Sequence, residues 1–375
     1  MSSPDITPGD VEMVNRVLRT PYLSIGPMIE EFEKEWARYV GTRFAVGVSS
    51  GTAGLHLAVV AAGVGPGDEV ITTPFSFVAS SNVMLYQGAT PIFADIDPKT
   101  LNIDPRWVEK KIKERRALGK RIKAIIPVHV FGQPADMQAL TEIAARHEVA
   151  LIEDACEAIG AKYRGRSVGT FGNAAVFAFY PNKQMTTGEG GMIVTDDEEW
   201  ARLFRSLRNQ GRDDNGTWLR HIRLGYNYRL DEMSAALGLS QLRRIEDLLQ
   251  KRDRVAQIYN QRLSKMKGVA VPWISPDTTQ GSWFVYVIRL APGIDRDAVV
   301  DELAAQGIPA RPYFAPIHLQ PFYQERFGFR PGDFPVTEQV ANSTLALPFS
   351  GVLEEAQIDL VCETLSQVLL TRNSS

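Results

Sequence analysis

The reading starts from FAVGVSSGTAGLHLAVVAAGVGPGDEVITT, residues 44–73. An apolar run, Phe44–Val48, breaks at Ser49-Ser50-Gly51 into a helical pattern over 52–62, and a second apolar run, Glu69–Thr72, follows a glycine-rich turn. Neither run alternates with polar residues, which suits parallel strands buried on both faces. The same alternation continues outward. Apolar runs recur at Thr90–Phe93, Ala124–Val130, Ala150–Glu153, Ala174–Phe179 and Gly191–Thr195, with helical patterns at 76–87, 105–117 and 136–147. This predicts an α/β layer structure around a mostly parallel sheet. Upstream, 8–19 and 27–40 read as amphipathic helices, the second stopped by Gly41. Downstream, residues 232–263 read as one long helix. A strand at 283–290, a helix at 296–306 and a terminal helix near 354–371 then suggest an α+β unit. The expected division is a large α/β domain over 1–245 and a smaller C-terminal α+β domain over 246–375.

Composition narrows the class. Hydrophobic residues make up 44% and charged residues 23%, an ordinary globular balance. Lys plus Arg is 41 against Asp plus Glu at 44, for a net charge of -3, which argues against nucleic acid or an anionic membrane surface as partner. The basic run 110–123 reads as a solvated helix face. Two cysteines, Cys156 and Cys362, are too few for a disulfide framework, and the five histidines show no metal-ligand spacing. Cys156 reads as a small buried residue, not a nucleophile. The polar start MSSPDITPGDVEMV has no signal-peptide character, and no apolar run approaches the roughly 20 residues of a membrane span, so a soluble cytoplasmic protein is expected.

Three local constellations carry chemistry. Ser49-Ser50-Gly51-Thr52-Ala53 joins a strand to a helix start, where free N–H groups and the helix dipole favour an anion such as phosphate. A plain serine N-cap would use the same residues. The turn GVGPGDEV (63–70) is not a dinucleotide fingerprint, because it precedes a strand. Glu153-Asp154 ends the run ALIED, where open parallel sheets bind ligands, and Asp154 could meet a cationic atom there or cap a helix. Lys183 lies in FAFYPNKQMTTGEGGMIVT (177–195), beside glycines that permit close approach of a ligand. A phosphate cradle, a carboxylate and an amine are together what pyridoxal 5'-phosphate (PLP) requires: the amine for its aldehyde, the carboxylate for its protonated ring nitrogen.

Several stretches in order then carry a specific resemblance: GPMIEEFEKEWARYVG (26–41), residues 49–80, GATPIFADIDPKTLNID (88–104), PVHVFGQPADM (127–137), IEDACEAIGA (152–161), NKQMTTGEGGMIVTD (182–196) and GYNYRLDEMSAALGLSQL (225–242). The chain resembles the DegT/StrS family of PLP-dependent sugar aminotransferases over roughly residues 6–370. The resemblance implies an aspartate-aminotransferase fold (PLP fold type I). It also implies PLP as cofactor, a nucleotide-diphospho-keto-sugar as substrate, an amino-acid donor such as L-glutamate, and a homodimer with shared active sites. Carried over, Lys183 matches the lysine that bonds the cofactor and Asp154 the ring-nitrogen partner. Gly51, Thr52 and Ala53 match the phosphate turn, Phe77 the aromatic residue stacked on the cofactor, and Glu157 the group near its phenolic oxygen. Asn227 matches an asparagine that reaches the neighbouring subunit's phosphate. Arg229 is a candidate for holding a carboxylate or phosphate, and Tyr313 and His318 resemble residues of the sugar pocket. The run TTGEGGM is more similar to the 4-amino-sugar members, of the perosamine-synthase type, which favours a 4-keto over a 3-keto substrate. One position departs from the family: Ala178 stands where a phosphate-contacting serine is usual. The substrate pocket is expected to depend on the loop 209–224. The alternatives in the same fold are a sugar dehydratase, whose members replace the lysine with histidine, and a regulatory protein without turnover.

Overall fold

The computed structural model describes residues 2–213 and 220–373. Helices α1 (Pro8–Leu18) and α2 (Pro27–Val40) lead into β1 (Phe44–Val48), α3 (Gly51–Ala61), β2 (Asp68–Thr72), α4 (Ala79–Leu85), β3 (Thr90–Phe93), α5 (Pro105–Ala117), β4 (Arg121–Ile126), α6 (Met137–Arg146) and β5 (Ala150–Asp154). Two short strands, β6 (Lys162–Tyr163) and β7 (Arg166–Ser167), precede β8 (Ala174–Ala178), β9 (Gly191–Thr195) and α7 (Glu198–Arg208). The last third holds α8 (Glu232–Leu242), α9 (Ile245–Leu263), β10 (Val269–Ala270), β11 (Thr278–Gln280), β12 (Tyr286–Leu290), α10 (Arg296–Ala305), α11 (Pro321–Phe327), α12 (Pro335–Ala341), β13 (Thr344–Leu347) and α13 (Glu355–Asn373).

A seven-stranded sheet in the order β1-β9-β8-β5-β4-β2-β3 forms the centre. Its pairs are parallel from β8 to β3, while β9 runs antiparallel to both β1 and β8. Strands β2, β8 and β9 are buried along their whole length, which is why their sequences lack alternation. Phe32 and Trp36 of α2 and Leu239 of α8 pack against Phe177 and Phe179 on one face. On the other, Leu55 and Val59 of α3 pack against Val176 and Ile193. The α/β architecture is the one expected, and the helix starts obey local rules: aspartate side chains cap α5, α6, α7, α8 and α10. Helix α2 begins at Gly26 without a cap of its own. Instead the Glu232 carboxylate accepts from the N–H groups of Gly26, Met28 and Ile29 at 2.8–3.1 Å.

Two expectations are corrected, and one helix is added. The single helix over 232–263 is two, α8 and α9, broken at Arg243–Arg244. No breaker residue marks the place. The Arg244 guanidinium reaches back to Asp5 (3.0 Å) and Asp10 (2.9 Å), and that tertiary pairing lies at the break. The strand expected through Val130 ends at Ile126, and residues 130–132 form one tight turn with Phe131 at φ 57°. Helix α7 was not foreseen, although Asp197 caps it and Glu198 and Glu199 fill its first turn. Along α9 the packing changes: Ile245, Leu248 and Leu249 join the core of α2 and α8, while Val255 and Tyr259 join that of β12, β13 and α13. The expected division after residue 245 therefore falls at the start of this bridging helix, and the three-stranded antiparallel sheet β10-β12-β13 lies beyond it.

Candidate active site

A cavity of about 510 Å³ opens at the carboxyl ends of β5 and β8, against the start of α3. Parallel strands end there with chain that must turn into helices, so side chains and helix N-termini converge on one space. Ser50 is extended and caps α3, its Oγ accepting from Ala53 N–H at 3.1 Å. The cap and the cradle therefore coexist: Ala53 spends its N–H on the cap and is buried, while Ser50, Gly51 and Thr52 line the cavity. Gly51 is required by space. A Cβ there would lie 2.8 Å from both Ala178 Cβ and Cys156 Sγ. Gly191 presses from the other side, its notional Cβ 2.7 Å from the Ser50 carbonyl. The turn is further held by Ser49 N–H donating to the Tyr228 carbonyl at 2.9 Å.

Asp154, 4% exposed, closes the floor. Its Oδ2 accepts from Ser80 Oγ at 2.8 Å and its Oδ1 from Cys156 N–H at 3.2 Å. Ser80 in turn sits 3.0 Å from Ser76 Oγ. Behind it, His129 and Glu153 form a fully enclosed pair at 3.2 Å, and Glu153 also accepts from Gly169, Phe171 and Gly172. Those bonds are structural: Glu153 points away from the cavity that Asp154 lines.

Lys183 stands on a turn closed by its N–H to the Tyr180 carbonyl at 2.9 Å. Its Nζ lies 3.8 Å from the ring centroid of Phe284 and 3.9 Å from Glu157 Oε1. Glu157, 5% exposed, accepts from Phe131 N–H at 2.8 Å through Oε2. Burial, with Asp154 adding to it, pushes its carboxyl up to about 7 against the opposing pull of Lys183 and the Phe131 N–H. Cys156 is also in the cavity wall, but desolvation and Asp154 raise its thiol well above the usual range, so it is no nucleophile at neutral pH.

Of the residues singled out in the sequence, Gly51, Thr52, Phe77, Asp154, Glu157, Lys183, Ala178 and Tyr313 meet in this cavity. Phe77 leaves 62% of its surface exposed, an uncovered ring at the mouth. Four do not arrive. Ala53 is buried behind the turn, its N–H spent on Ser50. Asn227 is exposed outside the cavity, its backbone bridged to Asn209. Arg229 donates to Asn209 Oδ1 at 3.0 Å and lines a separate small pocket. His318 is fully buried, bonded to Glu338 at 3.0 Å and packed on Phe334. It does not line the cavity, which corrects its expected contact with substrate. The loop expected to shape the substrate pocket is described only at 209–213 and 220–224; residues 214–219 lie outside the described residues.

Two residues were missed. Phe284 comes from the segment before β12 and carried no local signal. Arg252, 4% exposed on α9, donates to the carbonyls of Asn182 and Lys183 on one side and of Trp283 and Phe284 on the other, at 2.6–3.2 Å. It clips the lysine turn to the segment that supplies Phe284. Burial lowers its guanidinium to about 10, and no carboxylate contributes.

Among the described residues no cluster of His, Cys, Asp or Glu could hold a metal ion, and no helix is long and apolar enough to cross a membrane. A hydrogen-bonded carboxyl group at the floor, an enclosed amine in the same cavity and a helix start stripped of side-chain bulk suit a ligand with a cationic ring atom, a carbonyl and a phosphate. PLP has all three, and the fold and site define a PLP-dependent aminotransferase of the aspartate-aminotransferase fold. The chain belongs to the DegT/DnrJ/EryC1/StrS aminotransferase family, which matches residues 4–366. It is 41% identical over 374 residues to the GDP-perosamine synthase of Caulobacter vibrioides, covering 99% of this chain and 98% of that one. It is 37% identical to the spore coat polysaccharide biosynthesis protein SpsC of Bacillus subtilis, over 98% and 96% of the two chains. Among solved structures, a putative sugar aminotransferase from Streptococcus pneumoniae, in its PLP and PMP forms, superposes with a TM-score of 0.92 at 28% identity, over 99% of this chain and 98% of that one.

Proposed function

We propose that this enzyme moves an amino group from L-glutamate to the keto carbon of a nucleotide-linked sugar, at C4, to make an amino sugar for surface polysaccharide or secondary metabolism. The observation that carries the reading is the enclosed Lys183 amine sharing one cavity with the hydrogen-bonded Asp154 carboxylate. When bound, PLP supplies an electron sink that lets a proton leave the carbon bearing the amino group.

The chain's own residues do the rest. Lys183 Nζ anchors the cofactor and, once released, is the base and acid that carries a proton to and from the substrate. Ser80 Oγ–H and Cys156 N–H donate to Asp154 and fix its carboxyl group in the cavity, where it would pair with the ring nitrogen. Gly51, Thr52 and the positive end of α3 receive the phosphate, with Ala53 fixing the cap behind them. Thr52 and Ser50 stand in for the hydroxyl missing at Ala178. Phe77 offers a flat apolar face. Asn227, exposed between the stacked rings of Tyr226 and Tyr228, is read as serving the site of a second copy in a homodimer. Arg229 is read as an anion contact on that same side, and Tyr313 as a wall of the sugar pocket.

The nucleotide is supported by space and by the named specificity of the Caulobacter relative. A second groove of about 860 Å³ adjoins the cavity and shares Ser76, Phe77 and Phe314 with it. Its aromatic lining suits a base, and Arg326 suits a diphosphate. Retention of a lysine at 183 speaks against the dehydratase alternative, and the intact Lys183–Asp154 pair speaks against a regulator without turnover.

The test is direct. Purified protein with PLP should be yellow, borohydride should fix cofactor mass on the Lys183 peptide, and a panel of nucleotide keto-sugars with glutamate should give a glutamate-dependent amino product. Lys183→Ala should abolish both the fixed mass and turnover. Turnover by that variant, or a protein that PLP cannot reconstitute, would refute the assignment.

A further inference from the structure

Lys183 carries its amine on a long, flexible side chain. The direction of that amine is set by the turn that bears it and by the wall it lies against. The wall is Phe284, whose ring centroid is 3.8 Å from Nζ. Turn and wall are far apart in the sequence, so their separation needs a fastening of its own.

Two side chains join them. Arg252 donates through Nη2 to the carbonyls of Asn182 (3.2 Å) and Lys183 (2.6 Å) in the turn. Through Nη1 it donates to the carbonyls of Trp283 and Phe284 in the wall, both at 3.2 Å. Gln184, next to Lys183, donates from Nε2 to Ser282 Oγ at 2.7 Å and to the Glu157 carbonyl at 2.6 Å. Ser282 extends the restraint: its Oγ donates to the Ile159 carbonyl at 2.5 Å and its N–H to the Gly132 carbonyl at 3.1 Å. The short segment 282–284 is thereby tied to the lysine turn at both ends.

Arg252 also stands where α9 changes partners. Leu248, one turn before it, packs with α2 and α8, and Val255, one turn after it, packs with β12, β13 and α13. The guanidinium lies 5.6 Å from the ring of Phe349, which belongs to that second core. A buried guanidinium without a carboxylate is costly, and an apolar side chain would fill the same space without that cost. The arginine is accounted for by what its planar fork holds together.

We propose that Arg252 and Gln184 are positioning residues for the bonding of Lys183 to PLP. They hold the turn and the Phe284 segment at one separation, so that Nζ meets the cofactor's aldehyde from one direction. This rests on the reading of Lys183 given above. In the step they serve, the free amine of Lys183 bonds to the aldehyde carbon while its two protons leave with the carbonyl oxygen as water. Neither residue lines the cavity, and both act through the chain around Lys183 and Phe284.

The experiment places Arg252→Met, Arg252→Lys and Gln184→Met in two backgrounds, one with Lys183 and one with Lys183→Ala. With Lys183 present, Arg252→Met should slow covalent capture of PLP about a hundredfold, the penalty for displacing a reacting atom by about 1 Å. Absorbance and borohydride fixation read that rate, and overall PLP affinity should fall with it. In the Lys183→Ala background PLP binds without a covalent bond, and there Arg252→Met should leave its affinity unchanged. A general loosening of the cavity would lower affinity in both. Arg252→Lys keeps the charge but brings its donors on one nitrogen, so it should resemble Arg252→Met. Gln184→Met should slow capture less, because Ser282 keeps its bonds to Ile159 and Gly132. An equal loss of PLP affinity in the two backgrounds, or capture at the wild-type rate by either arginine variant, would overturn the proposal. If the arginine variants do not fold, Gln184→Met decides, and capture at the wild-type rate there overturns it. Failure of the wild type to bond PLP at Lys183 would overturn the reading of that lysine, and the proposal with it.

Discussion

Gly51→Ala separates a cofactor cradle from a mere packing contact. The new Cβ would stand 2.8 Å from Ala178 Cβ and from Cys156 Sγ, well inside an ordinary contact. The turn cannot retreat toward β9, because Gly191 already fits against the Ser50 carbonyl and Gly51 nitrogen with no room for a side chain. Relief must come from the start of α3 moving outward, into the space that Thr52 lines. Overpacking of this kind costs about 1–3 kcal/mol. Gly51 is helical with no positive φ, so alanine regains about 0.5–1 kcal/mol of helix propensity. The net loss of fold stability is then about 0–2.5 kcal/mol, against a total of about 5–15 kcal/mol. The N–H groups of the helix start, however, lose their aim, and a hydrogen bond to a charged group is worth about 1.5–3 kcal/mol. PLP affinity should therefore fall about tenfold or more while the unfolding midpoint of the cofactor-free protein moves little. Urea unfolding and absorbance titration with PLP read the two quantities separately. Adding Ala178→Gly removes one of the two obstructing atoms and should restore part of the affinity. Unchanged PLP affinity in Gly51→Ala alongside a clear loss of stability would show that the glycine serves packing and that the phosphate sits elsewhere.

His56 supplies a pH-dependent prediction. It is 3% exposed, bonded to Tyr228 and Gln87, and burial lowers its pKa from 6.5 to about 4. The unfolded chain binds a proton there that the native state refuses, so stability is lost as pH falls from about 6.5 toward 4, by up to about 3 kcal/mol. Urea unfolding at pH values across that window should show a shallower pH slope in His56→Gln than in wild type, and equal slopes would refute the assignment. A second prediction concerns the exposed Asn227. Lys183→Ala and Asn227→Ala chains, each inactive alone, should regain activity when mixed, because one site of each mixed dimer keeps both residues. No recovery in verified mixed dimers would count against shared sites.

What could be read from the sequence was what is contiguous. The turn at Ser50–Gly51, Asp154 at the end of ALIED and Lys183 before its glycines each sit at the carboxyl end of a strand, so the sheet alone brings them together. The residues that tune them come from elsewhere in the chain. Ser80 reaches Asp154 across 74 positions, and Phe284 meets Lys183 from the segment before β12. His318 looked like a polar site residue, yet its partner Glu338 and the ring of Phe334 lie on a later segment and enclose it. The break between α8 and α9 was invisible for the same reason, since the partners of Arg244 are near the N-terminus. Arg252 shows the limit most clearly. An arginine in the middle of an amphipathic helix reads as solvated, because burying one without a carboxylate is costly. Here it is tolerated because four backbone carbonyls accept its protons. Those carbonyls belong to the lysine turn and to the Phe284 segment, so the cost of burial is met only when the two segments are correctly opposed. A methionine at 252 could fill the space but has no proton to donate, and a lysine would bring its donors on a single nitrogen, where the planar fork of Arg252 spans the lysine turn and the Phe284 segment at once.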